Sequence, residues 1–78
     1  MIMTTADGHE LEVDQPIINA FPNRLFLPIK NMKLQEATDM LCTPASLPLK
    51  GYEDYTEAFS FCKRGKNDVM VTLRPSHE

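Results

Sequence analysis

The stretch EAFSFCKRGKNDVMVTLR, residues 57–74, decides the fold of this chain. Its first part places Phe59 and Phe61 on one face of an extended segment, and residues 69–74 carry an apolar side chain at every second position. Alternation with a period of two is typical of β-strands, and the Gly-containing residues 64–68 between the two runs are typical of a turn. The stretch therefore predicts a terminal β-hairpin.

A second hairpin is predicted at the start of the chain. Residues 2–5 are short and β-prone, and the Asp7-Gly8 pair that follows favours a type I′ turn, in which both central residues need positive φ. The next run alternates, with His9, Leu11 and Val13 on one face and Glu10, Glu12 and Asp14 on the other. This pattern predicts a half-buried strand with a solvated acidic face.

Between the two hairpins, proline marks where strands can and cannot pair. Pro16 and Pro22 bracket residues 17–21, which we predict to be an extended connector or an edge strand, because proline cannot donate to a ladder. Residues 24–29 predict a third strand, and Pro28 within it indicates an edge or a strand end.

One helix is predicted over residues 31–41. Its buried face is expected to comprise Leu34, Ala37, Met40 and Leu41. Pro44 ends the helix, and the N-cap position falls on Lys33, or on Asn31 if the helix begins earlier.

These elements predict an α+β fold. It comprises a small antiparallel sheet built from two β-hairpins plus an edge strand, with one α-helix packed on one face, in the order β-β-β-α-β-β. A chain of 78 residues is long enough for one domain, 1–78, and we expect a frayed tail at about 76–78.

Composition excludes several classes of protein. The net charge of −3 gives no attraction to nucleic acid or to an anionic membrane, and there is no apolar run of about 18 residues that could span a bilayer. The first residues lack the basic start and the apolar stretch of a secretory signal. Cys42 and Cys62 belong to no CxxC pair and are expected to be reduced and largely buried.

No constellation of residues points to catalysis, a metal or a cofactor, and we predict none of the three. The candidate histidine bases are His9 and His77, and His77 lies in the tail. Strand alternation puts His9 on the opposite face from Glu10, Glu12 and Asp14, so that one ion could not easily gather all four. A loose site for a hard cation on the three carboxylates is the alternative to a solvated face.

Two sets of surface residues are candidates for binding. The protein-interaction candidates are the interface-prone Tyr52 and Tyr55 with the acidic Glu53, Asp54, Glu10, Glu12 and Asp14. The nucleic-acid candidates are the cations of the terminal hairpin tip, Lys63, Arg64 and Lys66. Phe21, the Phe59/Phe61 face and the opposing valine-rich face are further apolar candidates, and any face left outside the core would need a partner.

The helix, the Tyr-containing strand entry and the closing hairpin together resemble a known group of proteins. The segments Met32–Ala37, Tyr52–Thr56 and Val69–Arg74 are similar to those of small proteins encoded among the virion and tail genes of tailed bacteriophages and prophages. The resemblance covers about residues 24–75, although a Ser or Thr cap would be usual where this chain has Lys33. It implies a structural or assembly role and supplies no catalytic residues.

The function expected from the sequence is therefore non-enzymatic. We expect a phage-type structural or assembly protein that binds protein, either itself or other virion proteins, in the cytoplasm of a bacterial host or in the virion. One alternative is a small inhibitor that binds a host or defence protein by presenting carboxylates. The second alternative is nucleic-acid binding through the basic hairpin tip.

Overall fold

The computed structural model describes residues 1–19 and 23–76, and their side chains except those of residues 56–59. The elements are β1 (Ile2–Thr4), β2 (Glu10–Glu12), β3 (Ile17–Asn19), β4 (Arg24–Ile29), α1 (Leu34–Leu41), a 3-10 turn (Pro44–Ser46), β5 (Tyr55–Lys63) and β6 (Val69–Pro75). The predicted α+β fold class is confirmed. One strand more than expected is present, because residues 17–19 form the edge strand that was one of the two alternatives for this segment.

The strands form two antiparallel sheets rather than one. β1 and β2 make a sheet of their own, and the other four strands follow the order β3-β4-β6-β5. The β1–β2 hairpin meets the larger sheet through a bridge between Val13 and Ile29 and through the Lys30 N–H, which donates to the Glu12 carbonyl at 2.8 Å. The predicted alternation therefore holds over residues 10–13, with Leu11 and Val13 buried, and the hairpin forms a small sheet of its own.

Pro28 lies near the end of an interior strand, so of the two alternatives predicted for it the edge is wrong and the strand end is correct. β4 lies between β3 and β6, and Pro28 is its penultimate residue, opposite Met70. The Pro28 carbonyl accepts from the Asp14 N–H at 2.7 Å, on the side away from β6. The N–H and C=O groups of one strand residue point to the same side, so an N–H at position 28 would point away from β6. Proline at this position therefore removes no hydrogen bond to β6.

The core lies on one face of the four-stranded sheet, which we call the inner face. Residues of β4 and β6 that pair across the ladder fill it: Leu25 with Leu73, Leu27 with Val71 and Ile29 with Val69. Helix α1 and the β1–β2 hairpin add buried side chains to the same cluster. We call the opposite face the outer face.

Helix α1 begins later than predicted and buries a narrower face. Its N-cap is Lys33, whose N–H donates to the Glu36 side chain at 3.4 Å. Ala37 and Leu41 are buried, but Leu34 is 39% exposed, which corrects its assignment to the core. Met32 supplies a buried apolar side chain just before the helix and is fixed there by its N–H bond to the Asn67 carbonyl.

The turn of the first hairpin differs from the type I′ prediction. Gly8 has φ +94°, whereas Asp7 is not among the described residues with positive φ. The Gly8 N–H donates to the Thr5 carbonyl at 3.1 Å, and the Thr5 N–H donates to the His9 carbonyl at 2.8 Å. This is a three-residue loop in which glycine takes the left-handed position, so only one residue needs positive φ.

The terminal hairpin is confirmed, with β5 antiparallel to β6 from Tyr55 opposite Pro75 to Lys63 opposite Val69. Phe61 pairs with Val71, so it lies on the same face as the valines and packs half-buried against the core. The side chain of Phe59 lies outside the described residues, as do Phe21 and the last two positions of the predicted tail. None of the described helices is long and apolar enough to cross a membrane.

Candidate functional site

The outer face of the four-stranded sheet carries an uncharged centre. Residues paired across an antiparallel ladder share a face. Two cross-strand rows therefore lie on it: Ile17, Phe26, Thr72 and Ser60 in one, and Pro28, Met70 and Cys62 in the other. Ile17, Ser60 and Cys62 are exposed, Phe26, Met70 and Thr72 are half-buried, and Pro28 is buried. Local sequence patterns could not reveal this surface, because its residues come from four separate strands.

Both cysteines are exposed and free, which corrects the expectation that they are buried. Cys62 lies on the outer face because it pairs with Met70 rather than with a core valine. Cys42 is the C-cap residue of α1, one position beyond the buried Leu41. The two thiols therefore mark different parts of the surface.

The predicted acidic strand face is present on the β1–β2 hairpin. Glu10 and Glu12 are exposed and lie opposite Thr4 and Ile2 on one side of that sheet. His9 was placed on the buried face by alternation, but it is exposed and lies between the turn and the start of β2. Among the described residues, no group of three His, Cys, Asp or Glu side chains is placed to hold a metal ion.

The Asp14 carboxylate lies close to cations, so it does not add an unpaired negative charge to the acidic surface. Its carboxylate lies 3.6 Å from the Arg64 guanidinium. The Gln15 N–H, Lys30 and Arg64 lower the pKa of Asp14, with the Gln15 hydrogen bond contributing most. The candidate acidic face and the candidate basic tip therefore meet at this ion pair.

The hairpin tip exposes all three of its candidate cations, Lys63, Arg64 and Lys66. The backbone of the tip is closed by Asp68, whose carbonyl accepts from the Arg64 N–H at 2.9 Å. With Asp14 beside Arg64 and Asp68 within the turn, the tip is a patch of mixed charge.

The predicted tyrosines are half-buried in the fold rather than exposed on its surface. The Tyr52 and Tyr55 rings lie 6.3 Å apart between centroids, and both pack half-buried against the core. Glu53 and Asp54 between them are exposed, but the Glu53 carboxylate accepts from the Gly51 N–H, and the Asp54 carbonyl accepts from the Ser76 N–H at 2.7 Å. Hydrogen bonds from its own N–H and from Gly51 lower the pKa of Glu53.

An open pocket of about 360 Å³ lies between the first turn and the helix. Its lining residues are Asp7, His9, Glu36, Asp39, Met40, Thr43 and Ser46. Sequence reasoning missed it, because the Asp7-Gly8-His9 run reads as a turn and Ser46 lies 39 positions away.

The polar groups of this pocket converge on Asp7. Thr5 Oγ1 donates to Asp7 Oδ1 at 2.5 Å, Ser46 Oγ donates to Oδ2 at 3.3 Å, and His9 Nε2 lies 3.5 Å from Oδ2. The Thr5 hydroxyl is the main cause that lowers the pKa of Asp7. Ser46 thus donates to the carboxylate and not to the histidine, which is not the order in which a histidine base activates a serine.

Comparisons with known proteins add no relative: no protein-family model, no curated protein and no solved structure matches this chain.

Proposed function

We propose that the chain is a non-enzymatic structural or assembly protein of the kind found in tailed-phage particles, and that it acts through protein–protein contacts. The observation that carries this proposal is the outer face of the four-stranded sheet. Its two central rows are uncharged and include the exposed Ile17 and Cys62 beside the half-buried Phe26 and Met70. Depletion of charge with retention of large apolar side chains is the composition found at the centre of protein interfaces.

The basic hairpin tip supports nucleic-acid binding less well. A phosphate-binding surface needs cations that are not offset by carboxylates. Arg64 lies 3.6 Å from Asp14, and Asp68 belongs to the same turn. The chain as a whole carries a net charge of −3.

An inhibitor of a host or defence protein is the second candidate, and the exposed carboxylates of Glu10 and Glu12 favour it. They lie on one side of the β1–β2 sheet, where they could face a basic partner. This candidate would use a surface different from the outer face, so the two proposals are separable.

The two exposed cysteines supply the test. Cys62 reports on the outer face and Cys42 reports on the end of α1. Single-thiol proteins made by Cys42→Ser and Cys62→Ser are expressed during particle production, and the particles are purified and analysed by mass spectrometry. We expect the chain in the particles, with the Cys62 thiol protected from a maleimide and the Cys42 thiol reacting as it does in the isolated protein.

Absence of the chain from the particles would overturn the assembly role. Equal reactivity of Cys62 in the particle and in the isolated protein would remove the outer face as the contact surface. A chain found on one host protein, with binding lost in Glu10→Gln and Glu12→Gln and unaffected by alkylation of Cys62, would establish the inhibitor instead.

A further inference from the structure

The exposed loop of the first hairpin contains a dipeptide, Asp7-Gly8, that can react with itself. The backbone nitrogen of the residue after an aspartate can attack the aspartyl Cγ and close a five-membered succinimide ring. Glycine in that position hinders the attack least, because it has no Cβ and its backbone is the most free to rotate. Among the described residues outside its chain neighbours, no atom lies within 4 Å of the place that a Cβ on Gly8 would take. The loop therefore has room to rearrange.

Ring closure at this dipeptide needs no reagent, and ring opening needs only water. The Gly8 nitrogen bonds to Cγ of the protonated Asp7 carboxyl, the bond from Cγ to its hydroxyl breaks, and the hydroxyl leaves as water with the proton of the Gly8 N–H. Water then opens the ring at one of its two carbonyls. One opening restores aspartate, and the other gives isoaspartate, in which the main chain runs through the former side-chain carbonyl.

In the folded chain, Thr5 holds both reacting groups. Its hydroxyl donates to Asp7 Oδ1 at 2.5 Å, and its carbonyl accepts from the Gly8 N–H at 3.1 Å. Ser46 Oγ donates to the other carboxylate oxygen, Oδ2, at 3.3 Å. Thr5 is fully buried and Ser46 is 2% exposed, so both hydroxyls are fixed by the packing of the core.

These hydrogen bonds oppose ring closure in two ways. The attacking nitrogen must first break its bond to the Thr5 carbonyl, and the Asp7 carboxylate must turn away from both hydroxyls. The Thr5 hydroxyl is also the main cause that lowers the pKa of Asp7. An ionised carboxylate is a poor electrophile, because its leaving group would be oxide rather than water.

We infer that Asp7-Gly8 is a self-modification site, at which isoaspartate forms when the first loop opens and which Thr5 keeps unreacted while the loop is closed. Isoaspartate adds one methylene to the backbone of a three-residue loop and attaches the free carboxylate directly to Cα. That carboxylate no longer matches the positions of the Thr5 and Ser46 hydroxyls, and the bond from the Thr5 N–H to the His9 carbonyl loses its register. The modified loop cannot close as before, whatever the protein assembles with.

Asp14 provides an internal control for the test. It lies in the same tryptic peptide, residues 1–24, and is followed by Gln15, whose side chain hinders the same attack. The full-length protein is kept at about pH 5, where an aspartate of ordinary pKa is protonated about 7% of the time. Isoaspartate at each position is measured by separating peptides of equal mass and by resistance to a protease that cleaves before aspartate.

In urea, we expect isoaspartate at Asp7 and much less at Asp14, and folded wild type should react far more slowly at Asp7. Folded Thr5→Val should react about tenfold faster than folded wild type, which is the factor that one hydrogen bond to a charged group supplies. Thr5→Ser keeps the hydroxyl and should react like wild type. Asn31→Ala, which weakens the fold away from the loop, should also react like wild type while it remains folded.

Equal formation of isoaspartate at Asp7 and Asp14 in urea overturns the inference, because the dipeptide is then no special site. So does a folded wild type that reacts as fast as the unfolded chain. A Thr5→Val protein that reacts no faster than wild type or than Asn31→Ala shows that Thr5 is not the restraint. Circular dichroism checks that each variant is folded. If Thr5→Val is not, Ser46→Ala takes its place and should accelerate the reaction by a smaller factor, and no acceleration counts against the inference.

Discussion

The backbone N–H of Asn31 donates to Oδ1 of Asp68 at 3.1 Å, which ties the entrance of the helix to the turn of the terminal hairpin. The Asn31 side-chain amide reaches the Glu12 carboxylate at 3.3 Å, so one residue joins the first hairpin, the helix and the last hairpin. Asn31 has φ +58°, a left-handed conformation that asparagine and glycine tolerate better than other residues.

Two substitutions at Asn31 should therefore distinguish the contribution of its backbone conformation to stability from the contribution of its side-chain hydrogen bond. Asn31→Ala keeps a Cβ in the left-handed region but removes the amide whose local bonding lets asparagine tolerate it, and we expect a loss of about 1–2 kcal/mol in the free energy of unfolding. Asn31→Gly relieves the backbone and removes only the side-chain bond, so it should cost less than Asn31→Ala. Urea denaturation measures both, and equal losses would show that conformation is not the cause.

The helix offers a matched pair of leucines. Leu41 is fully buried and Leu34 is 39% exposed. Leu41→Ala should lower the free energy of unfolding by about 2–5 kcal/mol, because it leaves a cavity in the core. Leu34→Ala should cost less than about 1 kcal/mol, because a side chain that is 39% exposed gives up less buried area than Leu41 does, and alanine is a good helix former. A large loss at Leu34 would return it to the buried face that the sequence predicts.

Leu34 and Leu41 show what hydrophobic periodicity can and cannot predict. The predicted helical face comprised Leu34, Ala37, Met40 and Leu41. Ala37 and Leu41 are buried and Met40 packs half-buried against the core, so Leu34 is the member that was placed wrongly. Periodicity cannot say how much of a helix the rest of the chain covers, because that depends on where the sheet ends. Met32, outside the helix, is buried instead, and no local pattern distinguishes it from Leu34.

The pairing of distant strands also could not be predicted from local sequence patterns. The hairpins could be read from alternation and turn residues, since both depend on neighbours in sequence. The outer face and the Asp7 pocket could not, because Cys62 meets Met70 and Asp7 meets Ser46 only after distant segments pack together. Burial of a cysteine is likewise set by register, and a shift of one position would have turned Cys62 into the core.

Thiol reactivity tests the register of β5 directly. Cys42 and Cys62 are both exposed, so the native protein should react with a disulfide reagent at two thiols per chain without denaturant. Cys62→Ser and Cys42→Ser should each leave one reactive thiol. A Cys42→Ser protein that reacts only after unfolding would show that Cys62 lies on the inner face and that the β5–β6 register is different.

The loss of folding stability at acidic pH should depend in part on Asp7. Its pKa is lowered from 3.8 in the folded protein, chiefly by the Thr5 hydroxyl. A carboxyl with a lower pKa in the folded state than in the unfolded state stabilises the fold above its unfolded pKa, and this contribution is lost as pH falls through the folded pKa. Thermal unfolding between pH 7 and pH 2 should therefore show wild type losing stability relative to Asp7→Asn below about pH 4.

Thr5→Val tests how much the Thr5 hydroxyl contributes to the lowered pKa of the Asp7 carboxylate. Thr5 is fully buried, and its Oγ1 both donates to Asp7 and accepts from the His9 N–H at 3.0 Å. Removing the hydroxyl takes away the main cause of the lowered pKa, so the acid-induced loss should become shallower in Thr5→Val than in wild type. Ser46→Ala, which removes the smallest contribution to the lowered pKa, should change the profile less. If the three proteins lost stability in parallel, the Thr5 hydroxyl would not be what sets the pKa of Asp7.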